Sequence, residues 1–311
     1  MPEFSVVIPL YNKEHFVKKT IQSVLNQTFQ KFEVIIIDDG STDNSLKKVK
    51  EFNDERIRVY KQGNKGASYA RNKGVDHSRY EWIAFLDADD IWYKDHLKEL
   101  NKSITRFPKA QVVSNAYEIA LGKNFYKKPK FSKTLPQVIS IIDDYFSYCF
   151  SGPLFWTSSL ALSKKCFQDI GGFDTDISSG QDTDLICRLA LNFKLVYNPK
   201  TTFLHIKHTE NNLSQSSNLD SRLKLLKKFK TQERSHPSLK KYMDINRFAL
   251  AMKAKILKRH DVFQKLYIEI EQRHLNYKQK LILHSPPWLI IQLKNIQKAL
   301  IKMGVYRSAF R

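Results

Sequence analysis

Cysteine is scarce in this sequence, and its scarcity excludes several classes of protein. The 311 residues include 3 cysteines, Cys149, Cys166 and Cys187, and none of them lies in a CxxC pair. Cysteines this few and this widely spaced exclude a disulfide framework and a cysteine-ligated zinc site. They also favour a reducing compartment.

Long apolar runs are missing as well. No stretch reaches the ~18 consecutive apolar residues that a membrane-spanning helix needs. The first residues, MPEFSVVIPLYN, lack the charged segment and the long apolar stretch of a secretory signal peptide. We therefore expect a cytoplasmic protein without a membrane-spanning helix.

Acidic residues are few only in the last third of the chain. The formal net charge is +21, but residues 221–311 hold 22 Lys and Arg against 5 Asp and Glu, and residues 1–220 hold 30 against 26. We predict an α/β domain over residues 1–219 and a basic helical region over residues 220–311. Such a region can bind anionic lipid, nucleic acid or an acidic partner, or it can form a solvated face.

Short runs rich in Val and Ile alternate with helical periodicity through the first half of the chain. The runs are Ser5–Leu10, Phe32–Ile37, Ile57–Tyr60, Trp82–Leu86 and Ala110–Val113. This alternation is typical of βαβ units, in which a mostly parallel sheet is flanked by helices. Such sheets bind ligands at the carboxyl ends of their strands, and three of these runs lead there into polar, largely acidic segments.

Two pairs of carboxylates follow these runs. Asp87 and Asp89 can share a hard divalent cation such as Mg²⁺ or Mn²⁺, which would bridge a diphosphate. Acidic surface turns show the same spacing, so it is the position at a strand end that favours a metal site. Asp38 and Asp39 also end a buried run, and a ligand with N–H donors would offset the cost of burying them. The residues after Asp39 are typical of a turn and a helix cap.

Four motifs occur together and in a fixed order over roughly residues 4–215. They are VVIPLYNKEHFVKKTIQSVLNQTFQKFEVIIIDDGSTDNS, GNKGASYARNKG, WIAFLDADD and IGGFDTDISSGQDTDLICRL. This set resembles the family 2 glycosyltransferases. The resemblance implies a Rossmann-like GT-A fold over residues 1–219, with a mostly parallel sheet flanked by helices. It also implies inverting transfer of a sugar from a nucleotide sugar.

The resemblance further implies which residues bind the nucleotide. Pro9 and Tyr11 would line the base pocket, and Arg71 would reach the base or the phosphates. Asp39 would accept a hydrogen bond from uracil N3–H, and cytosine would be rejected because it presents an acceptor at that place. UDP is therefore the expected nucleotide.

The same resemblance implies a metal site for Mn²⁺ or Mg²⁺. Asp89 would ligate the ion, and Asp87 would contact the ribose or the ion. His208, in the segment FLHIKHTENNLS, would contact the diphosphate or the metal when its loop closes. A solvated surface histidine is the alternative interpretation.

A general base is the remaining role that the family implies. Its members carry a Glu-Asp pair at the start of a helix after a GGFD turn, and here Gln181 and Asp182 follow GGFD at residues 171–174. Asp182 is therefore the candidate base. Gln181 keeps the size of the family's glutamate without its charge. The structural alternative for Asp182 is capping of a helix over Thr183–Leu191.

The segment at residues 284–303, HSPPWLIIQLKNIQKALIKM, predicts an amphipathic helix that begins near two prolines. Apolar residues recur at steps of three and four, beside Lys294, Lys298 and Lys302, with Trp288 at the boundary. A helix of this kind can lie in a membrane interface, or its apolar face can pack on the preceding domain.

Together these features predict an inverting, metal-assisted transferase that moves a sugar from a UDP-sugar to a hydroxyl of a cell-surface glycan precursor, free or lipid-linked. Two alternatives keep the fold: a nucleotidyltransferase-like protein and a nucleotide-sugar-binding protein without transfer. The first should carry a glycine-rich basic loop after its first strand, and PLYNKEHF is not one. The motifs do not favour nucleic acid as a partner. The expected location is the cytoplasm, at the inner face of the cell membrane if the tail binds lipid.

Overall fold

The computed structural model of this chain describes residues 3–122, 125–207 and 218–302. The strands of its sheet, β1 to β10, are Phe4–Leu10, Phe32–Asp38, Ile57–Lys61, Trp82–Phe85, Ile91–Trp92, Val112–Gly122, Phe125–Lys127, Ser140–Ile142, Leu160–Ser163 and Leu195–Ile206. The helices α1 to α13 are Val17–Leu25, Ser45–Val49, Ala67–Asp76, His96–Arg106, Tyr145–Tyr148, Lys164–Asp169, Gln181–Asn192, Leu219–Lys228, Lys230–Glu233, Pro237–Ile256, His260–Glu269, Tyr277–His284 and Pro287–Lys302.

The sheet is mixed, and its order is β3-β2-β1-β4-β9-β6-β10-β5. The strands β1 to β4 pair in parallel. Between consecutive strands of this group, the chain crosses back over the sheet, so that each strand begins at the same end of the sheet. β9 pairs antiparallel with both β4 and β6, and β10 runs parallel to β6. The predicted α/β class with flanking helices is confirmed, and the antiparallel pairs lie in the second half of the sheet.

Both faces of the sheet are covered, which explains why β1 and β2 are apolar along almost their whole length. Val6 and Ile8 of β1 face α1, where Val17 and Ile21 are fully buried. Val7 points to the opposite face. There α3 approaches β1 so closely that a Cβ on Gly74 would overlap the side chain of Val7.

Helices α8 and α10 to α13 contribute to the apolar core on the second face of the sheet. Leu225, Tyr242 and Ile290 belong to the same apolar cluster as Phe85 of β4. A ring contact between Phe146 of α5 and Tyr242 of α10, with centroids 5.6 Å apart, joins the two regions. The predicted domain boundary between residues 219 and 220 stays a prediction, because residues on both sides of it belong to the same apolar cluster.

Candidate active site

The acidic segments that hold Asp39, Asp87 and Asp89 follow strands that end at one edge of the sheet. Leu10 pairs with Asp38, and Val7 pairs with Phe85, so the carboxyl ends of β1, β2 and β4 are neighbours. The segments that follow these strands therefore meet at the edge where parallel sheets bind ligands.

Asp87 and Asp89 follow β4, and each contacts a cation. The guanidinium Nη2 of Arg71 donates to Asp87 Oδ1 at 2.6 Å. The ammonium of Lys13, from the loop after β1, donates to Asp89 Oδ2 at 2.7 Å. Both side chains of this second pair are mostly buried, with 11% and 15% of their surface exposed. Lys13 was not predicted from the sequence.

Arg71 lies between Asp87, which follows β4, and Asp182, which lies on α7. It lies on α3 and is 3% exposed, and its Nη1 is 3.4 Å from Asp182 Oδ1. Its guanidinium carbon lies 5.0 Å from the ring centroid of Phe173, in the GGFD turn. Among the residues that the structure describes, Nε and Nη1 of Arg71 have no hydrogen-bond partner. Because buried polar groups are normally satisfied, these donors are available to an anionic ligand.

Asp182 is the second residue of α7, and Gly180 is the N-cap, with a φ of 91°. Asp182 therefore does not cap the helix, but it lies in the first turn, where a carboxylate stabilises the helix through its dipole, and its role as a base stays a prediction. Burial raises the pKa of the Asp182 carboxyl and Asp87 adds to this, whereas the Arg71 guanidinium opposes it. Asp184, two residues further along α7, is fully buried and lies 2.8 Å from both Arg188 Nε and Lys228 Nζ. Of these two acids, only Asp182 reaches the site.

The predicted base pocket lies beside the end of β2. Asp39 is 3% exposed, and its carboxylate accepts hydrogen bonds from Gln62 Nε2 and Lys65 N at 2.8 Å and from Gly66 N at 2.7 Å. Pro9 is half-buried and Tyr11 is 37% exposed. The roles of Pro9, Tyr11 and Asp39 in nucleotide binding stay predictions.

Ser158 holds the acidic loop in place. It lies in a short helical turn before β9, where its hydroxyl accepts from Asp87 N at 3.1 Å and donates to Asp90 Oδ2 at 2.7 Å. Its backbone carbonyl accepts from Trp92 Nε1 at 2.7 Å. One buried serine thus contacts both ends of the loop that carries Asp87 and Asp89.

Asp90 connects the same loop to β10. His205 Nδ1 lies 3.0 Å from Asp90 Oδ1, and the ring of His205 stacks on Trp156 with centroids 4.3 Å apart. Burial raises the pKa of the Asp90 carboxyl to about 6, although His205 acts against this shift. Burial lowers the pKa of the His205 imidazole, but Asp90 more than offsets it, and the net change is upward.

Asn72, the neighbour of Arg71, fixes the GGFD turn. Its Nδ2 donates to the Phe173 carbonyl and its Oδ1 accepts from Phe173 N, both at 2.9 Å. Gly172 adopts a φ of 66°, and a Cβ there would lie 2.9 Å from Asn72 Oδ1. Two consecutive residues of α3 therefore position the turn that precedes α7.

The donor set at the end of β4 fits a hard divalent cation. Asp87 and Asp89 supply carboxylate oxygens, and Asp89 already accommodates the Lys13 ammonium in direct contact. His208 lies outside the described residues. Asp244, Glu271 and His274 form another acidic group, in the C-terminal helices. Lys240 Nζ lies 2.6 and 2.7 Å from the two carboxylate oxygens of Asp244, a contact of the same kind as that between Lys13 and Asp89.

Sequence reasoning missed three residues that shape the site: Lys13, Asn72 and Ser158. Lys13 and Asn72 lie inside the quoted motifs, and only their proximity to Asp89 and Phe173 distinguishes them. Ser158 lies about 70 residues from its partners and carries no local signal.

Within the described residues, no helix combines the length and the apolar character needed to cross a membrane.

Comparison with known proteins places this geometry in a family. The model of "Glycosyl transferase family 2" matches residues 5–170.

Among curated proteins, the chain is 43% identical over 95 residues to the UDP-Glc:alpha-D-GlcNAc-diphosphoundecaprenol beta-1,3-glucosyltransferase WfgD of Escherichia coli, covering 30% of this chain and 38% of WfgD. It is 42% identical over 101 residues to the putative teichuronic acid biosynthesis glycosyltransferase TuaG of Bacillus subtilis, covering 32% and 40%. For Streptococcus pneumoniae GlyA the values are 33% identity over 138 residues, covering 40% of this chain and 20% of GlyA. The chain thus covers less than half the length of each of these relatives.

Solved structures support the same fold. The chain matches S. aureus TarS 1-349 in complex with UDP-GlcNAc with a TM-score of 0.67 and 17% identity, covering 98% of this chain and 93% of that one. This likeness confirms the predicted GT-A fold. Since the family model matches residues 5–170, more than half of the 311 residues, the chain belongs to the family 2 glycosyltransferases.

Proposed function

We propose that this protein is an inverting glycosyltransferase that moves a sugar from a UDP-sugar to a hydroxyl group of a glycan acceptor. The observation that carries the proposal is the position of Arg71, whose guanidinium contacts Asp87 and Asp182 together. The residue predicted to hold the donor and the residue predicted to activate the acceptor therefore lie on either side of one buried cation.

Donor binding is assigned to the edge formed by β1, β2 and β4. Nε and Nη1 of Arg71, which make no hydrogen bond within the described residues, would bind the diphosphate, and Asp39 would accept from the uracil N3–H. Mn²⁺ or Mg²⁺ held by Asp87 and Asp89 would neutralise charge on the leaving diphosphate. Lys13 would then leave Asp89, or share its carboxylate with the metal. By name WfgD uses UDP-Glc, and TarS was crystallised with UDP-GlcNAc.

Acceptor activation is assigned to Asp182. The ionised carboxylate would remove the proton of the attacking hydroxyl while the sugar leaves the diphosphate. A raised pKa improves this carboxylate as a base, because it holds the proton more strongly once it has taken it. A single displacement inverts the anomeric centre and needs no protein nucleophile, in keeping with a site whose inner side chains are carboxylates and cations.

The acceptor is proposed to be a cell-surface glycan precursor, free or lipid-linked, handled at the cytoplasmic face of the membrane. Support comes from the basic C-terminal region and from α13, where Trp288, Ile291 and Ile296 are exposed. Apolar side chains beside lysines are typical of helices that lie in a lipid interface. The same helix also packs on the core through Ile290.

The test is release of UDP from a panel of UDP-sugars with Mn²⁺ and mixed glycan acceptors, followed by mass spectrometry of the products. We expect one UDP-sugar to be consumed together with the appearance of an acceptor heavier by one sugar. UDP-sugar binding without any transferred sugar would instead support the binding protein that the sequence left open. Release of pyrophosphate would support nucleotidyl transfer.

A further inference from the structure

Helix α8 contacts the segment that leads into α7, and Ser179 is at the centre of that contact. Ser179 is 5% exposed. Its amide N–H donates to Ser221 Oγ at 3.0 Å, and its carbonyl accepts from the same hydroxyl at 3.3 Å. Its own hydroxyl accepts from Arg222 Nε at 3.2 Å. All three polar groups of Ser179 are therefore bonded to α8.

The same helix packs against the start of α7. Gly180 is the N-cap of α7, and a Cβ there would lie 3.0 Å from Leu225 Cδ2 and 3.2 Å from Arg222 Cδ. Its φ of 91° lies in the left-handed region, which glycine adopts without strain. Asp182 follows two residues later, so α8 supports the turn of α7 that carries it.

Lys228, the last residue of α8, bridges two acids on either side of this segment. Its ammonium donates to Asp174 Oδ2 at 2.7 Å and lies 2.8 Å from Asp184 Oδ1. Asp174 ends the GGFD turn, and Asp184 is fully buried in α7. Because loss of a cation beside a buried carboxylate is costly, the bridge favours the observed distance between the turn and the helix. The Lys228 side chain is 34% exposed, which leaves room for a larger cation at this position.

These contacts lie on the side of the site that is assigned to the acceptor. Asp39, Asp87 and Asp89 follow β2 and β4, whereas α8 holds residues 174–184, which include Asp182. A general base must lie within hydrogen-bond reach of the proton that it removes, and a displacement of about 1 Å can reduce the rate about 100-fold. Loss of the contacts from α8 should therefore impair proton removal more than it impairs donor binding.

We propose that α8 is a positioning element of the active site, in which Ser221 and Lys228 hold Asp182 in place for proton removal. The inference rests on the proposed function, since it takes Asp182 as the general base. Ser221 and Lys228 act through residues 174–184 and do not contact the substrate. The C-terminal helices then contribute to the transfer step itself.

The experiment compares UDP affinity with kcat in two variants of the full chain. Ser221→Ala removes both hydrogen bonds to the Ser179 backbone, and Lys228→Met removes the bridge between the two acids. Lys228→Arg keeps a cation at the same position. The matched controls, Lys227→Met and Ser235→Ala, change exposed residues on α8 and in the turn before α10.

We expect Ser221→Ala and Lys228→Met to bind UDP within a few-fold of wild type and to lose about 10-fold or more in kcat, as a displaced base should. Lys228→Arg and both controls should keep kcat within about threefold of wild type, because each leaves the base in place. A thermal melt of each variant sets an assay temperature at which all of them are folded.

Hydrogen–deuterium exchange read by mass spectrometry measures the positioning directly, without any substrate. Amides of residues 174–184 should exchange faster in Ser221→Ala and Lys228→Met than in wild type and the controls. In Ser221→Ala this includes the Ser179 N–H, which loses its acceptor.

The proposal is wrong if Ser221→Ala and Lys228→Met keep the kcat of wild type, if the controls lose as much, or if exchange over residues 174–184 is unchanged. A parallel fall in UDP affinity and kcat would also overturn it, since that indicates general disruption of the site. A loss in Lys228→Arg as large as in Lys228→Met would remove Lys228 from the proposal. The proposed function fails separately: a wild type that transfers no sugar overturns that function, while the exchange rates still decide whether α8 holds the segment.

Discussion

Arg71 is the residue through which the two carboxylates of the site influence each other. Its guanidinium lies between Asp87 and Asp182, so a diphosphate that attracts Arg71 also changes the charge that Asp182 experiences. With the proposed roles of Arg71 and Asp182, donor binding and acceptor activation would be coupled through one side chain. This coupling makes Asp182 the residue whose removal should separate binding from chemistry.

Asp182→Asn should leave UDP affinity within a few-fold of wild type and reduce transfer at least ~100-fold, the usual scale for loss of a general base. In the wild type, kcat/KM should fall as the pH drops through the pKa of Asp182, which burial raises above its usual 3.8. The variant should lose this acid limb. UDP binding and turnover are measured on one preparation, with exposed Asp176→Asn as the control. Near-normal transfer by Asp182→Asn would place the base elsewhere.

Asp89→Asn should weaken Mn²⁺-dependent UDP binding by about 10-fold or more, because it removes a charged ligand from a site with few protein ligands. It also removes the acceptor of the Lys13 ammonium. Calorimetry with UDP, with and without Mn²⁺, measures the effect, and exposed Asp76→Asn is the control. Unchanged affinity in the presence of Mn²⁺ would contradict the assignment of Asp89 as a metal ligand.

Among the elements, α3 is the one whose placement the site depends on most. It carries Arg71 and Asn72, and it can lie against β1 only because residue 74 has no side chain. A shift of α3 away from the sheet would move Arg71 from Asp87 and loosen the turn at Phe173.

Gly74→Ala should lower the free energy of unfolding by at least about 1 kcal/mol, because the new Cβ overlaps Val7 in a closely packed core. The better helix propensity of Ala offsets up to about 1 kcal/mol of the gross cost. Gly63→Ala is the control, since nothing lies within 4 Å of a Cβ there. Urea unfolding of both variants measures the difference. Equal free energies of unfolding for the two variants would show that α3 can shift to accommodate the new Cβ without loss of stability.

The elements also show what the sequence could and could not predict. β1, β2 and β4 were predicted to within a residue or so, since continuous Val and Ile runs mark strands buried on both faces. β10 does not show a continuous apolar run, because Pro199 and Lys200 interrupt its apolar pattern. β5 and β7 have two and three residues, too few to show any periodicity. Ser158 was missed because its partners are distant in the chain.

At the scale of the whole molecule, the C-terminal helices share the core on the second face of the sheet. Ile290 of α13 is fully buried in it, whereas Trp288 and Ile296 of the same helix are 65% and 55% exposed. Removing residues 284–311 would therefore expose core surface as well as remove the outer face of α13. Substitutions on that outer face are the sharper test of membrane binding.

The triple variant W288S/I291S/I296S should float several-fold less with anionic liposomes than wild type, because burial of apolar side chains would add to the attraction of the basic region. High salt should partly detach the wild type by screening its charges. Y126S/V138S is the control, since it removes exposed apolar side chains from outside α13. Equal flotation of the triple variant and wild type would mean that α13 serves packing alone.

The paired hydrogen bonds between Asn72 and Phe173 determine where related chains can be recombined. The family match ends at residue 170, which makes that position a natural crossover point for a chimera. A crossover there would take Asn72 from one parent and the GGFD turn that it holds from the other. That turn includes Gly172, where a Cβ would lie too close to Asn72 Oδ1. Libraries of such chimeras should therefore place the junction after the turn, so that each chimera inherits α3 and residues 171–174 from the same parent.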